Sequence, residues 1–346
     1  MREEIVLHFA SDYMEGAHPR ILQRLSETNM EKTPGYGSDA YCESAKEKIR
    51  KACNCDHAEI HFLIGGTQTN ATVIRSLLRV YEGVLAAKTS HICVHEAGAI
   101  EAGGHKILTL PHQSGKISAD AVAKYIDTFN KDGNRAHRVK PGMVCISHPT
   151  EYGAIYTREE MENLRAVCNQ SGISLFLDGA RLGYGLTARA NDVSLEAIAK
   201  CCDVFYIGGT KVGALFGEAV VITRPGLIEN FFTIIKQQGA LLAKGRLLGI
   251  QFDTLFTENL YFDIAKHAIE MAEKLKTGLA AKGYTFLFES PTNQQFVILE
   301  NKKLHELASK VSFSFWETYN DTHTVVRFVT SWATSEKDVE QLLEAI

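Results

Sequence analysis

Two stretches decide the fold: Ile173-Ser174-Leu175-Phe176-Leu177-Asp178-Gly179-Ala180-Arg181, and Asp203-Val204-Phe205-Tyr206-Ile207-Gly208-Gly209-Thr210-Lys211. Each runs a short apolar, β-like segment into a glycine turn that carries charge. A carboxylate or an amine behind an apolar run is costly unless something pairs with it. Asp178 therefore reads as a helix N-cap, as half of an Asp–Arg pair, or as a carboxylate that keeps a heterocyclic nitrogen protonated. Lys211 sits among small residues with Thr210 before it. Partial desolvation there lowers an amine's pKa and makes it a Schiff-base nucleophile.

Working outward, strand-like and helix-like segments alternate. EIHFLIG (59–65) reads as a strand, and Ala71, Ile74, Leu78 and Tyr81 then recur at helical spacing. Short apolar stretches follow at 92–94 and 106–110. Ser118 predicts a helix N-cap ahead of Val122, Ile126 and Phe129. MVCIS (143–147) is another strand. Thr157 and Glu160 form a capping-box pattern ahead of Met161, Leu164 and Cys168, with Gly172 as the stop. Ser194 opens a short helix, and EAVVIT (218–223) is β-like. This alternation predicts βαβ crossovers and an α/β fold with a mostly parallel sheet, which binds ligands beyond the carboxyl ends of its strands. After about residue 224 long helical stretches give way to YTFLFE, QQFVILE, SFSFWE, TVVRFVTS and a last helix. They predict a large domain over residues 1–245, N-terminal arm included, and a smaller C-terminal α+β domain over 246–346.

The turn Gly65-Gly66-Thr67-Gln68-Thr69-Asn70 lies between a strand and a helix. It reads as a phosphate cup, or as a tight βα turn with a threonine cap. A phosphate cup, an Asp after one strand and a Lys after the next are what pyridoxal phosphate needs for its phosphate, ring nitrogen and aldehyde.

Composition excludes other classes. The chain has 346 residues, 45% apolar and 23% charged, with net charge −4, so no basic field marks a nucleic-acid binder. No apolar run approaches the length of a membrane span, and MREEIVLHFASD does not read as a signal peptide. The eight cysteines show no zinc spacing and predict reduced thiols in the cytoplasm, with no metal.

With these residues in view, the chain resembles the low-specificity L-threonine aldolases of the β-eliminating lyase superfamily, which are fold-type I pyridoxal phosphate enzymes. The matching stretches are FASDYMEG (9–16), PGYGSDAY (34–41), IGGTQTN (64–70), EAGG (101–104), LDGARL (177–182), GGTKVGALFGEAVV (208–221), AKGRLLG (243–249) and VVRFVTS (325–331). The resemblance implies that pyridoxal 5'-phosphate is held by Gly66 and Thr67 at its phosphate and by Asp178 at its ring nitrogen. Arg181 would lie near its phenolic oxygen and the substrate carboxylate, and Lys211, beside Thr210, would form the Schiff base. Ser11 and Arg327 would bind the substrate carboxylate. Arg246 and Tyr36 would reach a neighbouring subunit's site, which implies a homodimer or homotetramer.

Two places depart from the family's pattern. Its ring-stacking histidine lies five residues before a Glu-x-Gly; counted from Glu101 that position is Glu96, with His95 beside it. Its Asn-Thr-His run is replaced by Ser147-His148-Pro149-Thr150-Glu151, the histidine shifted by one. His95 and His148 are therefore the candidate bases for the substrate's β-hydroxyl. The implied reaction is cleavage of L-threonine or L-allo-threonine to glycine and an aldehyde. The alternatives are a β-eliminating lyase of the tyrosine or tryptophan type, for which the sequence shows no aromatic pocket, and a catalytically silent member of the fold.

Overall fold

The computed structural model describes residues 7–346; residues 1–6, the start of the N-terminal stretch read above, lie outside the described residues. A seven-stranded sheet runs in the order Glu59–Leu63, Glu218–Ile222, Val204–Gly208, Ser174–Asp178, Lys140–Ser147, Glu82–Ala87, Ile107–Leu110. Four of its pairings are parallel. Only Glu218–Ile222 runs against its neighbours.

Both faces of this sheet are covered, and the strand period of two sorts side chains between them. Leu175 and Leu177, Phe205 and Ile207, and Val144 and Ile146 enter one core. Phe176, Val204, Tyr206, Met143 and Cys145 enter the other. Each large apolar side chain buried this way contributes about 1.5–3 kcal/mol. Phe176 has no exposed surface, so Phe176→Ala should cost about 3–5 kcal/mol through the cavity it leaves.

The expected helix signals are in place. Ser118 Oγ accepts the Ala121 N–H at 3.1 Å at the start of Ala119–Lys131. Thr157 and Glu160 cap Arg158–Ser171 reciprocally, and Gly172 ends it at φ 64°. Two features were not read from the sequence. The stretch at 92–94 belongs to the helical turn His91–Val94, and an unforeseen strand, Glu82–Ala87, lies inside the sheet. Its sequence, EGVLAA, is buried on both faces, so it carries no alternation to read.

The C-terminal part is a four-stranded antiparallel sheet in the order Ser314–Thr318, His323–Val329, Gln294–Glu300, Thr285–Phe286. Its core gathers Val297, Leu299, Val326 and Phe328 with Leu275 and Leu279 of the helix Leu260–Ala281, and takes in Leu7 and Phe9. The helix Arg246–Leu255 instead sends Leu248, Phe252 and Leu255 into the large core, where Phe252 stacks on Phe62 at 5.1 Å. A cut at 245/246 would strip that helix from the core it fills. The packing favours a division inside Leu260–Ala281, whose first half also carries large-core residues (Tyr261, Ala265, Ile269).

Candidate active site

The two strand-end turns are built against each other. Gly208 N–H donates to Gly179 O at 3.0 Å. A Cβ on Gly179 would collide with the Tyr206 carbonyl oxygen, and one on Gly208 with the Ala180 carbonyl. Only glycines allow this approach, which brings Asp178 and Lys211 to the same end of the sheet.

Asp178 is almost wholly buried. It accepts from Asn70 Nδ2 at 2.9 Å, Tyr206 Oη at 2.5 Å and Ala180 N–H at 3.0 Å. No cation pairs with it among the described residues. It is not partnered with Arg181, whose Nε and Nη2 grip Asp12 at 2.7 and 2.9 Å. Asn293 also donates to Asp12, at 2.9 Å. Burial alone would raise the Asp12 carboxyl, but Arg181 and Lys211 outweigh it and hold it below its ordinary value. Burial, and then the Arg181 charge, hold the Lys211 amine below its ordinary value. The Lys211 turn is braced from behind by Glu218, which accepts from Gly209 N–H at 3.2 Å and Thr210 Oγ1 at 2.8 Å. Burial pushes Glu218 up to about 8.

Lys211 opens into a cavity of about 540 Å³ that it shares with Arg181, Arg327, His91, His95 and Glu151. Arg327 donates to Gln294 Oε1 at 2.9 Å and lies over the Trp316 ring at 5.4 Å. Its Nε is buried without a partner, and among the described residues no carboxylate pairs with it. Burial, then Arg181, lower it to about 10. A guanidinium so placed is prepared for an anion from outside the chain.

The expected histidines fare differently. His95 lines the cavity, and burial, then His91 and Arg327, lower its pKa. His148 does not line it. Its ring has no exposed surface, Nδ1 accepts the Tyr156 N–H at 3.2 Å, and burial lowers it to about 3. It is a core histidine and is corrected as a candidate base. Glu96 is also set back from the cavity: its buried carboxylate accepts from Asn70 Nδ2 at 2.7 Å and lies 2.8 Å from His91 Nδ1. His91 is half-buried and lines the cavity together with the more exposed His95. The chain also contains Glu96-Ala97-Gly98, and five residues before that Glu-x-Gly is His91. A line of polar contacts thus runs Tyr206–Asp178–Asn70–Glu96–His91, and all but His91 are buried. Asn70, His91, Glu151 and Asp12 were missed in the sequence because they gain meaning only through partners far along the chain.

The remaining expected residues are placed as follows. Gly66 and Thr67 open the helix Gly66–Leu77, whose N-terminus has no side-chain cap, so its amides are available to an anion. Ser11 is half-buried beside Asp12 and does not line the cavity. Neither Arg246 nor Tyr36 does. Arg246 donates to Glu31 O at 2.8 Å and to Thr28 O, and Tyr36 is exposed beneath Lys236. All eight cysteines are free. Among the described residues no group of side chains could hold a metal, and no helix is long and apolar enough to cross a membrane.

These residues fit pyridoxal phosphate: an uncapped helix N-terminus for a phosphate, a buried carboxylate without a cation for a protonated ring nitrogen, and a depressed amine for an aldehyde.

Residues 8–302 match the β-eliminating lyase family. The chain belongs to that family. This lyase is 30% identical to a low specificity L-threonine aldolase from a Pseudomonas species, over 96% of this chain and 95% of that one. It is 42% identical to a threonine aldolase structure from Leishmania major, with a TM-score of 0.94 and 97% of each chain covered. An aspartate aminotransferase from Thermus thermophilus, 14% identical at a TM-score of 0.71 over 99% of this chain and 91% of that one, shares the fold.

Proposed function

We propose that the lyase cleaves β-hydroxy-α-amino acids, L-threonine and L-allo-threonine among them, to glycine and an aldehyde with pyridoxal 5'-phosphate. The observation that carries this is the pairing, in one cavity, of the Lys211 amine with the half-buried guanidinium of Arg327, whose Nε is buried without a partner and which no carboxylate among the described residues pairs with. An α-amino acid supplies the matching carboxylate. The cofactor, when bound, supplies an electron sink conjugated to the substrate's Cα.

The chain's own residues do the rest. Lys211, whose amine is held below its ordinary pKa, would hold the cofactor's aldehyde carbon and give it up to the substrate's amine. Asp178, its carboxylate fixed by Asn70 and Tyr206, would keep a proton on the ring nitrogen. Gly66, Thr67 and the helix start behind them would receive the phosphate. Arg327, with Ser11 nearby, grips the carboxylate and so selects which Cα bond lies in line for cleavage. Arg181, locked on Asp12, lends fixed positive charge to the same pocket.

Tyr152, Phe315 and Trp316 give the cavity an aromatic wall that the sequence did not reveal, and this favours a second reading, β-elimination from aromatic amino acids. Aldehyde and pyruvate release from L-threonine, L-allo-threonine, L-serine and L-tyrosine separates the two. Aldehyde from the first two supports cleavage; pyruvate from tyrosine alone overturns it.

We also infer a cytoplasmic homodimer or homotetramer whose sites are shared. The free thiols support the compartment. The position of Arg246 and Tyr36 outside their own cavity supports sharing. Mixed Lys211→Ala and Arg246→Ala subunits should regain part of the activity, and a fully active monomer would end the proposal.

A further inference from the structure

Of the two glutamates that line the cavity, Glu151 and Glu317, Glu151 is the one with a buried carboxylate oxygen that nothing among the described residues pairs with. Glu151 follows the strand Lys140–Ser147 and is pinned through Oε1, which accepts from Ser147 Oγ at 3.0 Å and from the His91 backbone N–H at 2.9 Å. Its Oε2 is buried and has no partner. A buried acceptor left without a partner is unfavourable, and a ligand's donor relieves it. Glu151 lines the cavity together with Lys211 and Arg327.

On the reading proposed above, Lys211 marks the place of the substrate's amine and Arg327 that of its carboxylate. The donor that remains is the β-hydroxyl. We propose that Glu151 is the catalytic base that removes the proton of that hydroxyl during cleavage. The O–H bonding pair becomes the second bond of the aldehyde's carbonyl as the Cα–Cβ bond breaks. The pair from that bond is left on Cα, where the cofactor would serve as its electron sink, and a proton drawn from solvent completes glycine at Cα. The proton taken by Glu151 passes to solvent once the aldehyde leaves.

The surroundings suit the task. Burial, then the charge of Asp178, raise Glu151 above the usual carboxylate range, while His91 and the Ser147 hydroxyl moderate the rise. A carboxylate raised toward neutrality is a stronger base than an exposed one. The other candidates are less well placed: His148 is sealed in the core, and His91 spends Nδ1 on Glu96. His95 faces the cavity with a ring whose protonation burial disfavours.

The test uses the full-length holoenzyme and three readouts. Glu151→Gln keeps the shape and the contacts to Ser147 and His91 but cannot take a proton. Its kcat for acetaldehyde release from L-threonine should fall by about 100-fold or more, the usual contribution of a positioned base. Pyridoxal phosphate affinity, measured by titrating apoprotein, should stay within about threefold, and so should exchange of the glycine α-proton in D2O, because neither involves a β-hydroxyl. Cleavage within about fivefold of wild type overturns the assignment, and so does a parallel loss of exchange and cleavage, which marks a structural role. Should Glu151→Gln fail to fold, Glu151→Asp withdraws the carboxylate by one methylene, and cleavage should fall by about tenfold with exchange kept; equal cleavage overturns the assignment. A wild type that releases no aldehyde from any β-hydroxy amino acid removes the proposed function and this role together. A wild type that cleaves, beside a Glu151→Gln that cleaves as well, removes only the role.

Discussion

Two pairs of loops meet over one cavity, and they differ in how their charges are held. The turns at 178–181 and 208–211 are held together by backbone: glycines interleave, Asp178 is the last residue of its buried strand and Lys211 follows three residues after the end of the next. The loops at 91–96 and 147–151 are locked by side chains: His91 by Glu96, and Glu151 by Ser147 and the His91 amide. Backbone locking leaves a local signature in the sequence, a strand and then a glycine and a charge. Side-chain locking leaves none, because its partners are scattered. The first pair should therefore tolerate no change, while the second should divide into residues that act and residues that only pack.

The largest effect is expected in the first pair. Lys211→Ala should abolish turnover, by about four orders of magnitude or more, and borohydride treatment of the wild type should fix the cofactor on residue 211. Modification of another lysine would break the assignment.

Asp178→Asn should cost about 100- to 1,000-fold in kcat, the range for losing one preorganised charge, with cofactor still bound. Asn70 and Tyr206 still reach the side chain, so folding should survive. Near-wild-type turnover would show that Asp178 is only a turn residue, the reading its sequence left open.

For Arg327→Lys, KM for L-threonine should rise by about 10- to 100-fold, because an ammonium cannot replace a two-pronged guanidinium. Amino acid esters should be poor substrates of the wild type. Esters cleaved as fast as free acids would remove Arg327 from carboxylate recognition.

His148 sharpens the contrast from the other side. His148→Asn should leave kcat for threonine within about threefold, yet change the response to acid. The folded pKa of His148, about 3, lies below the unfolded value of about 6.5. Its neutral form is favoured in the fold, so stability is full above about pH 6.5 and is lost as pH falls toward 3. The loss is about 1.4 kcal/mol per pH unit, or about 2 kcal/mol at pH 5. Urea unfolding at pH 7 and pH 5 should show a smaller difference for the variant than for wild type. An unchanged difference would mean that the ring is hydrated. A large fall in kcat would return His148 to the candidate bases.

The sequence by itself determined the alternation of strands and helices, the caps at Ser118 and Thr157, and the placing of Asp178 and Lys211 at successive strand ends. Those features rest on neighbours within a few residues, through period, capping and turn chemistry. Only the tertiary structure decided that Arg181 serves Asp12, 169 residues away, that His148 is core while His91 faces the cavity, and that Glu151 keeps an oxygen free. It also decided the strand Glu82–Ala87 and the allegiance of Arg246–Leu255. In each of these the deciding quantity is burial or pairing across the sheet. Whether a charge is solvated, paired or left waiting depends on which distant side chain reaches it, and spacing along the chain does not carry that.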